Sequence, residues 1–188
     1  MADEATYQKK LAITREYFRP EMRVFEFGCG SGSTAITHAP HVAHIDAIDV
    51  SPNMIDIAKR KSAAANVDNV TFAVSSIEEF DAADTSYDVV LGLSILHLVE
   101  NKEEVIDRVK RMLKPGGVFV TSTACIGDAN IFLRLMVPLA RLLGLAPLVK
   151  VFSTKNLVKV ITDAGFTIDH QWSPGKNKAL FLVAVKEH

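Results

Sequence analysis

Short apolar runs alternate with amphipathic stretches along the chain from residue 22 onward. The apolar runs at residues 24–27, 44–48, 70–74, 87–91 and 118–121 have the length and residue types of buried strands. Helical periodicity follows several of them, at residues 33–39, 51–66 and 101–113. Because parallel strands need long crossover connections, this alternation predicts a parallel sheet with helices on both faces.

Local signals place the boundaries of these elements. Ser51 followed by Pro52 is typical of an N-cap and the first helical position. The run Lys114-Pro115-Gly116-Gly117 predicts a turn that separates the helix at 101–113 from the next strand.

The last third of the chain has a different pattern. A helix is expected at residues 153–164, and strands at 167–172 and 179–185 are joined by a short polar connection at 174–178. A connection of this length suits a hairpin, so one closing strand should run antiparallel to the rest. We interpret residues 1–188 as one domain in which residues 126–152 form an insertion.

The composition of the chain argues against some of the functions that a protein with this fold could have. The 188 residues carry 21 basic and 22 acidic side chains, and this balance argues against a general nucleic-acid binder. Cys29 and Cys125 offer no disulfide framework, and their strands would lie about 10 Å apart on either side of another strand. With no signal-peptide pattern at the N-terminus, these features predict a cytoplasmic setting.

A strand, three alternating glycines and a helix start form the strongest chemical signal. The glycines are Gly28, Gly30 and Gly32, and glycine lets a ligand approach the backbone closely. Asp49 ends the next strand, where a carboxylate can accept hydrogen bonds from ribose hydroxyls. A nicotinamide site would place Gly or Ala where Ser33 stands, so a nicotinamide-dependent oxidoreductase is the weaker hypothesis.

At this point the chain resembles the class I S-adenosylmethionine-dependent methyltransferases. The resemblance is carried by Glu26–Gly32, Asp49, Tyr87–Val90 and Leu113–Gly117, in the family's order over residues 20–123. It implies a Rossmann-like, seven-stranded α/β sheet that is mostly parallel, with an antiparallel strand in the C-terminal hairpin.

The resemblance also implies which residues bind the cofactor. Gly28, Gly30 and Gly32 would lie against its methionine portion, with Glu26 facing the ammonium group and Leu93 lining the wall. Tyr7, on an N-terminal helix that also carries Lys10, would reach the cofactor carboxylate. Asp49 would hold the ribose, with Val50 and Met54 beside the adenine. Ser76 and Ile77 would read the adenine, although the family often has Asp where Ser76 stands.

The methyl acceptor is expected to be a small molecule, with no metal at the site. The sequence lacks the Asn/Asp-Pro-Pro-aromatic signature of nucleobase methylation and the acidic pair of metal-dependent catechol enzymes. His97 is the candidate general base, although a structural histidine is the alternative. Cys125 and Asp128 would face the same rim. His38, His41 and His44 need not converge on a metal, because Pro40 interrupts the helix and His44 begins a strand.

An almost continuously apolar stretch at residues 131–149 falls within the insertion. Arg134, Arg141, Pro138 and Pro147 argue against a membrane span and favour an amphipathic helix. It could pack on the sheet or at a dimer interface, form a lid over a small apolar acceptor, or lie on a membrane surface and reach lipid or quinone substrates.

The sequence therefore predicts a methyltransferase that uses S-adenosylmethionine, leaves S-adenosylhomocysteine, and exists as a monomer or homodimer. A module that binds the cofactor without transferring its methyl group is the alternative from another class.

Overall fold

The computed structural model describes residues 4–125, 152–175 and 178–187. The strands are β1 (Arg23–Phe27), β2 (His44–Asp49), β3 (Val70–Val74), β4 (Tyr87–Leu93), β5 (Leu113–Thr123), β6 (Phe166–Trp172) and β7 (Leu180–Lys186). The helices are α1 (Glu4–Arg15), α2 (Ser33–His38), α3 (Pro52–Ala64), α4 (Lys102–Met112) and α5 (Thr154–Asp163), and a 3-10 turn spans Ala39–His41.

The strands form one seven-stranded sheet in the order β3-β2-β1-β4-β5-β7-β6. Strands β1 to β5 pair in parallel, whereas β7 is antiparallel to both β5 and β6. The predicted fold class is therefore confirmed, including the single antiparallel strand of the closing hairpin. Strands β1 and β5 flank β4, as the expected separation of Cys29 and Cys125 requires.

An apolar layer covers each face of the sheet. Alternation along β1 sends Val24 to one face and Phe25 to the other. The Val24 face packs against α1, α2 and α3, and the Phe25 face packs against α4 and α5. We call these the α1 face and the α4 face.

Side-chain caps fix the starts of the helices that follow β2 and β4. Ser51 Oγ accepts a hydrogen bond from Met54 N–H at 3.4 Å, which confirms the predicted cap. Asn101 Oδ1 accepts from Glu103 N–H and Glu104 N–H at the start of α4. These caps satisfy backbone donors that have no partner within the helix.

Helix α1 is attached to the far edge of the sheet. The ammonium group of Lys9 lies 4.2 Å from the ring centroid of Trp172 in β6. The hydroxyl of Tyr17, just after the helix, donates to Asp169 of the same strand. These contacts hold α1 and the residues just after it against β6.

The turn predicted at residues 114–117 is wrong as an element boundary. Strand β5 begins at Leu113 and runs through these residues. Tyr87 pairs with Leu113 while Val89 pairs with Val118, so residues 114–117 of β5 lie opposite a single residue of β4. These extra residues bulge out of the ladder, and Gly116 among them adopts φ +71°. The Lys114 ammonium then reaches the Asp88 carboxylate at 2.7 Å. The turn residues thus form an irregularity inside one strand.

Part of the predicted insertion lies outside the described residues. Of residues 126–152, the structure describes only Phe152, which is buried on the α4 face. In the described ranges, no helix combines the length and hydropathy that crossing a bilayer requires.

Candidate cofactor site

The glycine loop lies between β1 and α2. Gly28, Gly30 and Gly32 all have positive φ angles, of 66°, 53° and 72°. A Cβ at Gly32 would come within 2.7 Å of the Phe72 ring, so packing excludes a side chain there. A Cβ at Gly30 would meet nothing within 4 Å, which leaves its backbone open to a ligand.

Asp49 connects this loop to the end of β2. Its Oδ2 accepts a hydrogen bond from Gly30 N–H at 2.9 Å, and its Oδ1 accepts from Ser51 N–H at 2.9 Å. A carboxylate has about four acceptor positions, so lone pairs remain for ribose hydroxyls. Asp49 therefore orders the loop and can still bind a ligand.

A cavity of about 1180 Å³ opens beside Asp49 on the α4 face. It is lined by five predicted cofactor residues: Gly28, Asp49, Val50, Ser76 and Ile77. Ile77 is buried, whereas Val50 is 69% exposed, and a planar apolar group such as adenine would cover it. Ser76 Oγ accepts from Glu79 N–H at 3.2 Å and can still donate its hydroxyl proton.

The resemblance implies that the segment after β4 faces the acceptor, but sequence reasoning missed the contribution of α4 to the other wall of this cavity. Ile95, Leu98 and Val99 line it after β4, and α4 contributes charged side chains that include Glu104 and Arg108. The polar face of α4 is typical of an ordinary surface helix, so no local pattern marks these residues as part of a site.

Glu26 lies on the opposite face, at the end of β1. It is 2% exposed, and its Oε2 has no hydrogen-bond partner among the described residues. Burial raises the pKa of this carboxyl to about 8. A buried acceptor without a donor is costly, so the site favours a ligand that brings a donor, ideally a cation. The ammonium group of S-adenosylmethionine fits this requirement.

Helix α1 covers the same side. The Tyr7 hydroxyl lies 3.4 Å from Thr34 Oγ1 at the start of α2, and Lys10 Nζ donates to Ser122 Oγ of β5 at 2.7 Å. The helix therefore spans from the glycine loop to the end of β5. Leu93, at the end of β4, packs partly buried in the same apolar cluster, whereas Met54 is 42% exposed at the start of α3.

His97 is half-buried in the segment after β4. Burial lowers its pKa, and its Nδ1 is enclosed without a hydrogen-bond partner among the described residues. The neutral ring is the form that a general base requires. Cys125 is buried on the α4 face, and Asp128 lies outside the described residues.

Two of the three histidines considered as metal ligands lie in different surroundings. His38 is fully buried against the Phe18 ring, and His44 contacts Asp46 and Thr71. Nowhere in the described ranges do three His, Cys, Asp or Glu side chains converge as metal ligands would.

Comparison with known proteins agrees with this geometry. Residues 18–165 match the family described as a methyltransferase domain. An uncharacterized methyltransferase of Bacillus subtilis, YcgJ, is 28% identical over 110 residues, which are 58% of this chain and 44% of that protein. Its crystal structure superposes with a TM-score of 0.81 at 17% identity, covering 96% of this chain and 99% of that one.

Two further relatives have named acceptors or pathways. A malonyl-[acyl-carrier protein] O-methyltransferase of Paenibacillus is 28% identical over 158 residues, covering 78% of this chain and 56% of that protein. A ubiquinone biosynthesis O-methyltransferase of Xanthomonas oryzae is 33% identical over 102 residues, covering 54% of this chain and 42% of that protein. The chain thus spans about half the length of the curated relatives it matches.

The family match covers most of the chain and the sheet order agrees with it. The protein belongs to the methyltransferase-domain family, among the class I S-adenosylmethionine-dependent methyltransferases.

Proposed function

We propose that this protein transfers a methyl group from S-adenosylmethionine to a small-molecule acceptor and releases S-adenosylhomocysteine. The observation that carries the proposal is the buried Glu26 carboxyl, which has an oxygen without a partner at the end of β1. It lies beside a glycine loop whose Gly30 is open to a ligand. The family membership supports the same cofactor.

Different groups of the predicted residues would bind different parts of the cofactor. Asp49 would bind the ribose hydroxyls, while Val50, Met54, Ser76 and Ile77 surround the adenine. Glu26, Leu93, Tyr7 and the three loop glycines would hold the methionine end. Bound S-adenosylmethionine supplies a sulfonium methyl group whose transfer leaves a neutral thioether. The protein's contribution is then mainly to hold the acceptor in line and to exclude water.

His97 is proposed as the general base for acceptors that must lose a proton. Its lowered pKa keeps the ring neutral near pH 7, so it can accept that proton. The names of the relatives point to two acceptor classes, a carrier-bound carboxylate and an intermediate of quinone synthesis. A small-molecule acceptor and a lipid or quinone acceptor at a membrane surface are accordingly the two candidates. A single domain over residues 1–188 and a cytoplasmic setting belong to the same proposal.

Calorimetry with S-adenosylhomocysteine tests the cofactor site. Asp49→Ala should weaken binding strongly, but it also removes two acceptors of loop N–H groups. Asp49→Asn is the sharper variant, because it keeps a carbonyl acceptor while removing the charge that holds the ribose. Asp56→Ala, an exposed change on α3, is the control and should bind like the original protein.

A screen for labelled-methyl transfer across metabolites and lipids tests the reaction itself. Transfer to one class of acceptor, lost in Asp49→Asn, supports the proposal. Tight binding of S-adenosylhomocysteine without turnover on any acceptor would favour the non-catalytic binding module.

A further inference from the structure

Lys10 of α1 directs its ammonium group towards the interior. Its Nζ donates to Ser122 Oγ at 2.7 Å, and Ser122 is only 1% exposed. Across the described ranges, no carboxylate lies within ion-pair distance of this ammonium. Burial lowers the pKa of Lys10, as expected for a cation that lacks a counter-charge. Because enclosed charges are normally paired, this position favours an anionic ligand.

Lys10 and Ser122 together offer several donors to such a ligand. An ammonium group has three N–H donors, and the contact with Ser122 uses one of them. Since Ser122 Oγ accepts that hydrogen bond, its own hydroxyl proton is available to a second acceptor. A carboxylate or a phosphate presents two or three oxygens, so either group can accept from both side chains at once.

Ser122 lies beyond the strands that carry the proposed cofactor site. The order β2-β1-β4-β5 places Asp49 at the end of β2, the glycine loop after β1 and Ser122 near the end of β5. Ser122 follows Val120 onto the α1 face, two strand spacings or about 10 Å from β1. His97, the proposed general base, follows β4, which lies between them. With the ribose expected at β2 and the glycine-loop contacts at β1, the end of β5 remains for the acceptor.

The charged side chains along this edge of the sheet change sign. The acidic residues Asp49 and Glu26 stand at β2 and β1, where a cofactor with a cationic sulfonium is proposed to bind. Further along, Lys10 lies over β5 and the ammonium group of Lys9 lies over Trp172 of β6. An anionic acceptor is attracted both by these lysines and by the sulfonium, whereas a cationic acceptor is repelled by them.

We propose that Lys10 and Ser122 bind an anionic group of the methyl acceptor, so that the acceptor is a small molecule bearing a carboxylate or a phosphate. This inference rests on the proposed function and narrows its acceptor. The anionic group fixes the position of the acceptor, and a different atom of the same molecule attacks the methyl group.

A purely structural role for Lys10 makes a different prediction. If the lysine only ties α1 to β5 through Ser122, its loss destabilises the protein and affects every acceptor equally. If the lysine binds an anion, its loss affects only acceptors that carry one. The two cases separate in the ratio of the KM values for charged and uncharged acceptors.

Nuclear magnetic resonance of the Lys10 side chain tests the anion site without a known acceptor. The Cε signal of Lys10, assigned by its absence from Lys10→Arg, reports the pKa of the ammonium group. This pKa should lie below its ordinary value of 10.5 in the ligand-free protein, and S-adenosylhomocysteine should leave it unchanged. Inorganic phosphate or benzoate, added to that complex, should raise it towards 10.5.

Steady-state kinetics with the acceptors found in the labelled-methyl screen test the same contact during turnover. Each anionic acceptor is compared with an analogue that keeps the nucleophile and loses the anion, such as glycinamide for glycine or ethanolamine for phosphoethanolamine. Lys10→Met should raise KM for the anionic acceptor about 10- to 100-fold, the range of one charge-assisted hydrogen bond. KM for the analogue and for S-adenosylmethionine should stay within about twofold. Lys10→Arg should recover most of the loss, and Lys59→Met, which removes an exposed charge on α3, should show none.

The outcomes of the two measurements are distinct. A rise of the Lys10 pKa with phosphate alone, or with benzoate alone, would support the proposal and identify the class of anion. No rise with either, or acceptors that are all neutral or cationic, would overturn it. A rise that S-adenosylhomocysteine produces and 5′-methylthioadenosine does not would assign Lys10 to the cofactor and overturn it as well. Methyl transfer to no acceptor at all would refute the proposed function, whereas transfer to uncharged acceptors alone would refute only this inference.

Discussion

Replacing Glu26 by glutamine separates the cost of burying this carboxyl from its use in binding. The folded protein raises the pKa of Glu26 from 4.5 to about 8, because burial penalises the charged form. The folded state therefore keeps a proton that the unfolded chain releases. The resulting stability is fully present below pH 4.5 and is lost as the pH rises through 8. This pKa difference corresponds to about 5 kcal/mol.

Glutamine has nearly the same shape and does not titrate. Relative to Glu26→Gln, the free energy of unfolding of the original protein should fall by about 5 kcal/mol between pH 4 and pH 9. Urea denaturation of the ligand-free proteins measures this difference at each pH. Glu21→Gln, an exposed change just before β1, is the control and should follow the original protein.

Binding provides the second measurement on the same pair. At pH 7 a carboxyl with a pKa of about 8 is protonated in about 0.9 of the molecules. The ligand's ammonium favours the carboxylate, so S-adenosylhomocysteine should release close to one proton from Glu26. Calorimetry in buffers of different ionisation enthalpy measures this proton release. In Glu26→Gln the release should be absent, and the affinity for S-adenosylhomocysteine should be about tenfold lower. Equal proton release and parallel pH–stability curves for the two proteins would refute this account of Glu26.

Three other changes probe the fold around the site. Burial lowers the pKa of His38 to about 3, so the free energy of unfolding of the original protein should fall by about 2 kcal/mol between pH 7 and pH 5. His38→Leu should not show this fall, and equal urea midpoints for the original protein at the two pH values would contradict the expectation. Gly32→Ala must meet both a positive φ and the Phe72 ring, so it should destabilise by about 2–4 kcal/mol in thermal unfolding. The Cβ added by Gly30→Ala meets open space, so this change should lower stability by about 1 kcal/mol. It should nevertheless weaken S-adenosylhomocysteine binding more than Gly32→Ala does, and a larger loss of affinity in Gly32→Ala would contradict the open approach at Gly30.

The sequence predicted the parts of the fold that local rules control. Strand β1, the glycine loop and the Ser51 cap each lie within a few residues of chain, where periodicity and turn chemistry act directly. Asp49 is predictable because it ends the strand that follows the glycine loop, where a carboxylate can accept hydrogen bonds from ribose hydroxyls.

The contacts that local rules could not supply join distant parts of the chain. Lys10 and Ser122 are hydrogen-bonded although they lie 112 residues apart, and no local pattern marks them as a pair. The residues at 114–117 have the chemistry of a turn, yet pairing with β4 on both sides keeps them inside β5. In each case tertiary pairing decided what local propensity left open.

The two parts of the proposed cofactor site lie on opposite faces of the sheet. The cavity beside Asp49 is on the α4 face, whereas Glu26 is on the α1 face. The hydrogen-bonded strands β1 and β4 therefore separate the two proposed parts of the site by a fixed distance. Asp49 accepts a hydrogen bond from Gly30 N–H and so couples the two parts, and substitutions on either side of that bond are not expected to add in free energy.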